Sequence, residues 1–296
     1  MNPGVLYAVA AYLLWGALPI YLHLLGRIGT LEVLAHRIVW SLVTMVVLLV
    51  ALRRRAWLRQ ALRAPATLRR FVLTALLISI NWVLYIWAIG SGHTVDASLG
   101  YFMSPLVNVV MGALVLHERL RLWQKLPIAL AAAGVAWLTW QAGAPPWIGL
   151  GLATSFSLYG LLRKTAALGA LEGFSVETAV LAPIALAYLA WLGAGGTLAF
   201  GAGSWSTRLL LMAAGPITTV PLLFYAAGAR RISFSLLGVL QYIAPTLQWL
   251  TGVYVFNEPF DPHKAIGFGV IWAALLLYAA DVAWFSWRAA RAAPAA

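Results

Sequence analysis

The sequence predicts an all-α polytopic membrane protein with ten transmembrane helices arranged as two inverted five-helix repeats. Of its 296 residues, 63% are hydrophobic and 9% are charged, against roughly 25% charged residues in ordinary soluble domains. Apolar stretches near the length of about 20 residues that a bilayer requires recur along the whole chain. The second half also repeats polar and proline positions of the first half. Together these observations give the fold class.

The predicted spans follow one another with short polar breaks between them. They cover residues 4–25, 31–51, 71–90, 95–117, 124–141, 146–164, 174–193, 207–228, 233–256 and 263–286. The first begins almost at Met1 without a basic leader, and no small-residue cleavage site precedes the second. We therefore expect the first span to be retained rather than removed as a signal peptide.

Basic residues predict the orientation of the chain, whose net charge is +12. Sixteen of the twenty Lys and Arg residues fall in alternate connections and in the last segment. These are Arg53, Arg54, Arg55, Arg59, Arg63, Arg69 and Arg70, then Arg119, Arg121 and Lys125, then Arg163 and Lys164, then Arg230 and Arg231, and finally Arg288 and Arg291. The positive-inside rule predicts that both termini are cytoplasmic. The excess of Arg over Lys and the abundant Ala are typical of a GC-rich genome, so we expect the bacterial cytoplasmic (inner) membrane.

Residues 53–70 interleave Arg with Trp57, Leu58, Leu62 and Leu68. This mixture is typical of a short amphipathic helix that lies on anionic lipid headgroups. Nucleic-acid binding is the alternative that the positive charge raises. We favour the lipid interaction, and we expect no nucleic-acid partner.

An internal repeat relates the two halves at an offset of 140 residues. The matching positions are Phe102, Pro105, Gly112 and Glu118 in the first half and Tyr242, Pro245, Gly252 and Glu258 in the second. The predicted repeats are residues 1–142, with spans one to five, and residues 143–296, with spans six to ten. An odd number of spans inverts the second copy, an arrangement common in secondary transporters. The same plan could also support a channel or a scramblase.

Pro105 and Pro245 lie inside spans four and nine at matching positions. Each lacks an N–H, and so each releases a carbonyl four residues earlier, on Tyr101 and Gln241. Freed backbone within a span is tolerated where it faces protein or a wet cavity. Two interpretations stay open: a pair of broken helices that supply polar ligands, or kinks that serve packing.

Polar and aromatic residues within the spans are candidates for a substrate cavity. A buried amide without a partner costs roughly 2–7 kcal/mol, so these groups should face the bundle interior. As a set they fit an aromatic cavity with a few hydrogen-bonding groups, although each one alone could instead join two helices. The candidate substrate-binding residues are Trp15, Asn81, Trp82, Tyr85, Tyr101, Ser104, Asn108, Tyr159, Tyr225, Gln241, Tyr242 and Gln248.

Four charged or titratable residues are candidates for gating or coupling. Arg37 lies about six residues, or roughly 9 Å, inside span two, where a charge is expensive and usually pairs or lines a pathway. Asp96 is its candidate partner, and snorkelling to headgroups is the alternative. We hypothesise that Arg37 and His36 form a periplasmic gate, although His36 alone could be a packing histidine. Glu177 matches His36 at an offset of 141, and we hypothesise that it is the cytoplasmic counterpart and a possible proton acceptor.

Glu118 and Glu258 lie at the exits of spans four and nine. Negative charge suits the start of a helix. We therefore expect both acids to be structural, each stabilising the helix that follows it.

The sequence lacks the residues that several kinds of catalytic, metal and nucleotide site require. The chain has no cysteine, no paired-His metal motif, no G-x-S-x-G elbow and no G-x-x-x-x-G-K-[ST] loop. We therefore expect no metal, no cofactor, no enzymatic activity and no direct ATP hydrolysis, so that energy comes from gradients. An intramembrane enzyme and a channel or sensor remain the alternatives.

Segments along nearly the whole chain carry a family resemblance. They are AAYLLWG at 10–16, HRIVWS at 36–41, ASLGYFMSPLVNVVMG at 97–112, SFSLYGLLRK at 155–164, TTVPLLF at 218–224 and LLGVLQYIAPTLQ at 236–248. With them the chain resembles the EamA family of drug/metabolite transporters, within it the RarD branch of chloramphenicol-sensitivity proteins. The resemblance implies two EamA repeats, a central cavity and, as in several relatives, export of small organic solutes. Asp96 departs from the Glu expected in the family.

These observations predict a secondary transporter. We expect an exporter of amino-acid-like metabolites, drugs or other small organic solutes, working by alternating access around a midplane cavity.

Overall fold

A computed structural model describes most of the chain. It covers residues 2–26, 28–53, 64–90, 94–142, 147–256, 265–267, 269–274, 276–278, 280–281 and 284, with backbone only at 86, 89, 90, 94–99, 142 and 252. All of the regular secondary structure in these residues is helical, which confirms the predicted all-α class.

The helices are numbered along the chain. They are α1 (Pro3–Gly16), α2 (Leu18–Leu25), α3 (Thr30–Ala51), α4 (Pro65–Gly90), α5 (Thr94–Leu114), α6 (Leu122–Ala142), α7 (Trp147–Lys164), α8 (Ala170–Ala194), α9 (Ala199–Ala202), α10 (Trp205–Ala229), α11 (Phe234–Gln241) and α12 (Ile243–Tyr254). Further helical residues lie within Ala265–Tyr278.

Among the residues that the structure describes, five helical stretches are long and apolar enough to cross a membrane, judged by length and composition. They are Pro3–Leu25, Thr30–Ala51, Pro65–Tyr85, Ala170–Ala194 and Trp205–Ala229. Gly100–Leu114 and Ala265–Tyr278 are shorter apolar helices. A polytopic membrane fold follows, whereas the count of ten spans and the division between residues 142 and 143 stay predictions.

Helix breaks interrupt the first and ninth predicted spans. Pro19 cannot donate a backbone hydrogen bond to the Trp15 carbonyl, so α1 ends and α2 begins around Ala17. The Gln248 side chain supplies the missing donor, with its Nε2 3.1 Å from the Trp15 oxygen. A second break, at Tyr242, separates α11 from α12, whereas α5 continues through its proline.

The core lies between the two halves of the chain. Among the described helices, the most extensive contacts each join a helix of the first 142 residues to one that begins at or after residue 147: α5 with α7 and α11, α3 with α8 and α10, and α1 with α10. Some of these approaches are very close, because a Cβ on Gly215 of α10 would overlap the backbone of Trp40 in α3. Small residues allow such backbone approach in membrane bundles.

Polar contacts tie together one end of the bundle, here called the basic end and defined by residues 164–170 and 229–234. The Lys164 ammonium donates to the carbonyls of Ala229 and Ile232, 3.0 and 2.5 Å away. Arg230 donates to Ala166. A Cβ on Gly4 would meet Arg231 and Ile232, so the start of α1 lies at the same end.

Glu118 also lies at the basic end, where it caps a helix other than the expected one. Its carboxylate accepts hydrogen bonds from the backbone N–H groups of Phe234 and Ser235, at 2.6 and 3.0 Å, and from the Ser235 hydroxyl at 2.8 Å. The acid is structural, but it stabilises the start of α11 rather than that of α6. The expectation was wrong because the fold brings α11 next to α5. Glu258 lies outside the described residues.

Candidate functional site

A cavity of about 110 Å³ opens between α1, α2, α3, α4, α5, α7, α10, α11 and α12. The described part of its lining combines aromatic, apolar and amide side chains with one cation. The lining residues are Tyr12, Trp15, Leu18, Pro19, Leu22, Arg37, Ile78, Asn81, Trp82, Tyr85, Tyr101, Phe156, Leu222, Gln241, Ala244, Pro245 and Gln248.

The cavity lies in the half of the bundle away from the basic end. Leu22, Tyr85 and Tyr101 line it, and each is within about two helical turns of a helix end opposite the basic end. Toward the basic end, Tyr12 and Phe156 form its floor.

Many of the candidate residues from the sequence line this cavity. From the substrate-binding set these are Trp15, Asn81, Trp82, Tyr85, Tyr101, Gln241 and Gln248. Arg37, a gating candidate, and Pro245, a helix-kink candidate, also line it. Their roles stay predictions.

The remaining substrate-binding candidates lie elsewhere in the bundle. The Ser104 hydroxyl donates to Gly100 within α5, and the Tyr242 ring packs 6.3 Å from Phe102 in a separate apolar cluster. Asn108 Nδ2 donates to Gln241 Oε1 at 2.9 Å and joins α5 to α11. Tyr159 and Tyr225 lie beneath the cavity floor.

Sequence reasoning missed eight lining residues. They are Tyr12, Leu18, Pro19, Leu22, Ile78, Phe156, Leu222 and Ala244. Pro19 carried a usable signal, since it is a proline inside a predicted span like Pro105 and Pro245. The apolar residues carried none, because nothing in their spacing separates a cavity wall from a helix contact.

Arg37 lines the cavity and contacts neighbouring helices. Its Nε donates to Thr218 Oγ1 at 2.9 Å, and its guanidinium carbon lies 5.2 Å from the centre of the Trp82 ring. Among the side chains that the structure describes, no carboxylate lies within 4 Å of it. The predicted partner Asp96 has its side chain outside the described residues, so that pair stays a prediction.

Three amides leave hydrogen-bonding groups available to the cavity. Asn81 Nδ2 donates to the Leu152 carbonyl and to Ser155 Oγ, both at 2.9 Å, so its Oδ1 has no partner in the described part of the chain. Gln248 likewise keeps its Oε1 as an acceptor, since Nε2 is used by the Trp15 carbonyl. Gln241 accepts through Oε1 and keeps its Nε2 as a donor.

An aromatic cluster closes the cavity toward the basic end. Its members are Tyr12, Trp15, Phe156, Tyr159 and Tyr225. The Tyr225 ring centre lies 5.5 Å from Trp15, 5.3 Å from Phe156 and 6.3 Å from Tyr159. Tyr12, Tyr159 and Tyr225 are fully buried, and the Tyr12 hydroxyl donates to the Leu237 carbonyl.

A buried ionic group, the Glu177 cluster, lies beyond the aromatic cluster and consists of Thr74, Tyr159, Arg163 and Glu177. The Glu177 carboxylate accepts from the Thr74 hydroxyl at 2.6 Å and from the Tyr159 hydroxyl at 3.3 Å. Arg163 Nε lies 3.7 Å from Glu177 Oε1, and both side chains are 1% exposed. Arg163 Nη2 donates to the Ala170 carbonyl, whereas Nε and Nη1 make no hydrogen bond within the described residues.

His36 belongs to a different contact from its neighbour Arg37. Its ring packs 5.3 Å from Phe200, and its Nε2 lies 3.8 Å from Glu32 Oε1. Glu32 also accepts from the Ala199 N–H at 2.7 Å. Consecutive helical residues point about 100° apart, so the hypothesised gate residues His36 and Arg37 are not brought together. Within the described residues, no group of three His, Cys, Asp or Glu could hold a metal ion.

Comparisons with known proteins agree in assigning the family. A sequence model described as the EamA-like transporter family matches residues 2–140. The "Protein RarD" of Streptomyces exfoliatus is 46% identical over 288 residues, which cover 97% of this chain and 90% of that protein. The "Uncharacterized transporter YojE" of Bacillus subtilis is 44% identical over 278 residues, 93% of each chain.

A solved structure agrees in fold. It has 20% sequence identity, superposes with a TM-score of 0.67, and covers 94% of this chain and 98% of its own. At that identity the likeness concerns the fold alone. The RarD and YojE proteins are 46% and 44% identical to this chain over nearly its full length. The chain therefore belongs to the EamA-like transporter family and to its RarD branch, and it is a multi-pass bacterial membrane transporter of the drug/metabolite superfamily.

Proposed function

We propose that this chain is a secondary transporter, neither an enzyme nor a channel, that exports small organic solutes by alternating access. The observation that carries the proposal is a cavity between the two halves that ends at the fully buried Tyr12, Tyr159 and Tyr225. A pore would need a continuous path, whereas a carrier closes one end while the other is accessible.

The Glu177 cluster fits a gate at the closed end. A buried ion pair is expensive unless its geometry satisfies both partners, and Arg163 leaves two nitrogens without hydrogen bonds in the described part of the chain. We propose that the pair forms when the basic end is closed and separates into water when that end opens.

The basic end would face the cytoplasm. The alternation of basic residues along the sequence supports this orientation by the positive-inside rule, with both termini cytoplasmic in the inner membrane. Residues 53–70 would then contact anionic lipid headgroups on that side. Most of this segment, residues 54–63, lies outside the described residues.

The size of the cavity favours metabolites over drugs. Its volume of about 110 Å³ is below the roughly 300–1,000 Å³ of pockets that hold drug-sized ligands. We therefore favour small solutes such as amino-acid-like metabolites as the exported class.

Solute flux in proteoliposomes tests this function. Purified full-length protein is reconstituted, and uptake of radiolabelled amino acids, organic acids and nucleosides is measured against protein-free vesicles. We expect one class to show uptake that saturates with concentration and is accelerated by unlabelled solute on the opposite side. Uptake that stays linear with concentration would indicate a channel, and conversion of the solute to a product would indicate an enzyme.

A further inference from the structure

We propose that the solute bound in this cavity carries a carboxylate that pairs with Arg37 and a flat apolar body that packs on the aromatic walls. This inference names a substrate class and rests on the proposed transport function. The Arg37 guanidinium at the cavity wall, which has no carboxylate partner among the described side chains, motivates it.

The charge of the cavity lining favours an anionic solute. Among the described lining residues Arg37 is the sole ionisable cation or anion apart from tyrosines, and no described carboxylate neutralises it. A charge in a membrane interior is costly and usually pairs or lines a substrate pathway. An anionic solute would supply a counter-charge at the cavity wall, where the described side chains supply none.

The hydrogen-bond geometry of the Arg37 guanidinium favours a carboxylate. Arg37 Nε donates to Thr218 Oγ1, and the guanidinium carbon lies over the Trp82 ring, 5.2 Å from its centre. Among the described residues, the two terminal nitrogens make no hydrogen bond. Two parallel N–H donors are the arrangement that binds a carboxylate in a bidentate manner.

The aromatic walls of the cavity favour a flat apolar group in the rest of the solute. Trp15, Trp82, Tyr85, Tyr101 and Phe156 present aromatic surface around the cavity. Aromatic rings favour offset or edge-to-face contact with another flat apolar group. Gln241 also lines the cavity, and its Nε2 has no hydrogen-bond partner among the described residues. The volume of about 110 Å³ limits the ligand to a compact molecule.

A carboxylate fits better than a phosphate ester. One guanidinium balances one negative charge, whereas a phosphate dianion would bring a second charge without a partner. Burying an unpaired charge is strongly unfavourable.

Isosteric probes of different charge test the proposal on the full-length protein in detergent. Benzoate, benzamide and benzamidine share one shape and carry negative, zero and positive charge, and phenylphosphonate adds a dianion. Binding is measured as a shift in melting temperature and by titration calorimetry. We expect benzoate to bind at least tenfold more tightly than the other three.

Variants of Arg37 test whether benzoate binding depends on its guanidinium. Arg37→Gln should weaken benzoate binding by about tenfold to a hundredfold, the usual worth of a hydrogen bond to a charged group, while Arg37→Lys keeps a preference for benzoate over benzamide. Arg231→Gln is the matched control: Arg231 stacks 5.2 Å from the Tyr7 ring, the same distance as Arg37 from Trp82, but it is exposed and outside the cavity. It should leave benzoate binding unchanged, and size-exclusion profiles check that each variant is folded.

Several results would overturn the proposal. They are the absence of benzoate binding, equal binding of benzamide, tighter binding of benzamidine or phenylphosphonate, and an anion preference that survives Arg37→Gln. Transport failure is a separate outcome. Saturable flux of other solutes without benzoate binding would leave the transport function standing, whereas Arg37-dependent benzoate binding without any flux would leave the site standing.

Discussion

Glu177 and Arg163 form a buried pair whose energy depends on both partners being present. Replacing one partner of such a pair leaves an uncompensated buried charge, whereas replacing both by apolar groups of similar size is often neutral. The two side chains are 1% exposed, so little water is available to either one.

Glu177→Gln should therefore destabilise the folded protein by about 3–5 kcal/mol, measured by chemical denaturation in detergent. The double variant Glu177→Leu with Arg163→Met is the control and should recover most of this loss while transport stays impaired, because the gate no longer has an ion pair to break. A single variant as stable as the parent would contradict the burial of this pair. Reduced transport in Glu177→Gln whose residual rate keeps the pH dependence of the parent would remove the hypothesised proton role of Glu177.

Some of the buried charges can be predicted from the sequence and others cannot. Glu177 and Arg37 stood out because charge inside an apolar stretch is rare. Arg163 did not, since it lies at the end of a predicted span and was counted among the orientation charges, although the structure buries it at 2% exposure. Its partner lies on another helix, and no local pattern indicates such a contact.

At the scale of helices, the break between α1 and α2 depends on a contact from the far end of the chain. Pro19 cannot donate the helical hydrogen bond to the Trp15 carbonyl, and the Gln248 side chain of α12 donates to it. Trp15, Pro19 and Gln248 all line the cavity. The hydrogen bond between Gln248 and Trp15 therefore holds part of the cavity wall in place.

Gln248→Ala should destabilise the protein by about 1 kcal/mol, because the partly buried Trp15 carbonyl loses its side-chain donor. Adding Pro19→Ala to this variant restores a backbone N–H at position 19 that can bond to the same carbonyl within a continuous helix. The second substitution should then recover much of the loss, as measured by melting temperatures of the two single variants and the double variant. Equal, additive losses would mean that Gln248 and Pro19 act independently.

Close helix packing gives a second test at this scale. A Cβ on Gly215 would overlap the backbone of Trp40, which cannot give way as a side chain could, whereas a Cβ on Gly201 meets nothing within 4 Å. Gly215→Ala should lower the melting temperature and separate α3 from α10, and the control Gly201→Ala should have little effect. An equal response to both substitutions would argue against the α3–α10 contact.

The repeat predicted matching features at matching prolines, and the two halves differ there. α5 runs through Pro105, while the second half has its break at Tyr242, before Pro245. A proline marks where a carbonyl is released, but the partner of that carbonyl is set by helices distant in sequence. Sequence analysis can therefore find the candidate position and cannot decide between a break and continuity.

At the scale of the molecule, the two ends of the bundle are unlike in the conformation described. The aromatic and Glu177 clusters fill the interior toward the basic end, and the cavity occupies the opposite half. Composition and periodicity predicted the membrane class, and the polar residues predicted much of the cavity lining. They could not predict which end is closed, since under the proposed alternating access one sequence would encode both states.

Cysteine accessibility can detect the other state, because the chain has no cysteine of its own. Leu22→Cys introduces a thiol at the cavity wall, and Thr74→Cys introduces one in the buried Glu177 cluster. In the conformation described, a membrane-impermeant thiol reagent should modify the first from the side opposite the basic end and spare the second. Gly201→Cys, at an exposed position, is the control for reagent access.

Alternating access then makes a reciprocal prediction. A saturating transported solute that moves the protein toward the other state should lower the reactivity of Leu22→Cys and raise that of Thr74→Cys from the basic end, with Gly201→Cys unchanged. The two reactivities must move in opposite directions, because a carrier that opened both ends at once would leak its gradient. Parallel changes would indicate a pore. Labelling in vesicles of both orientations also shows which side of the membrane the basic end faces, since the reagent cannot cross.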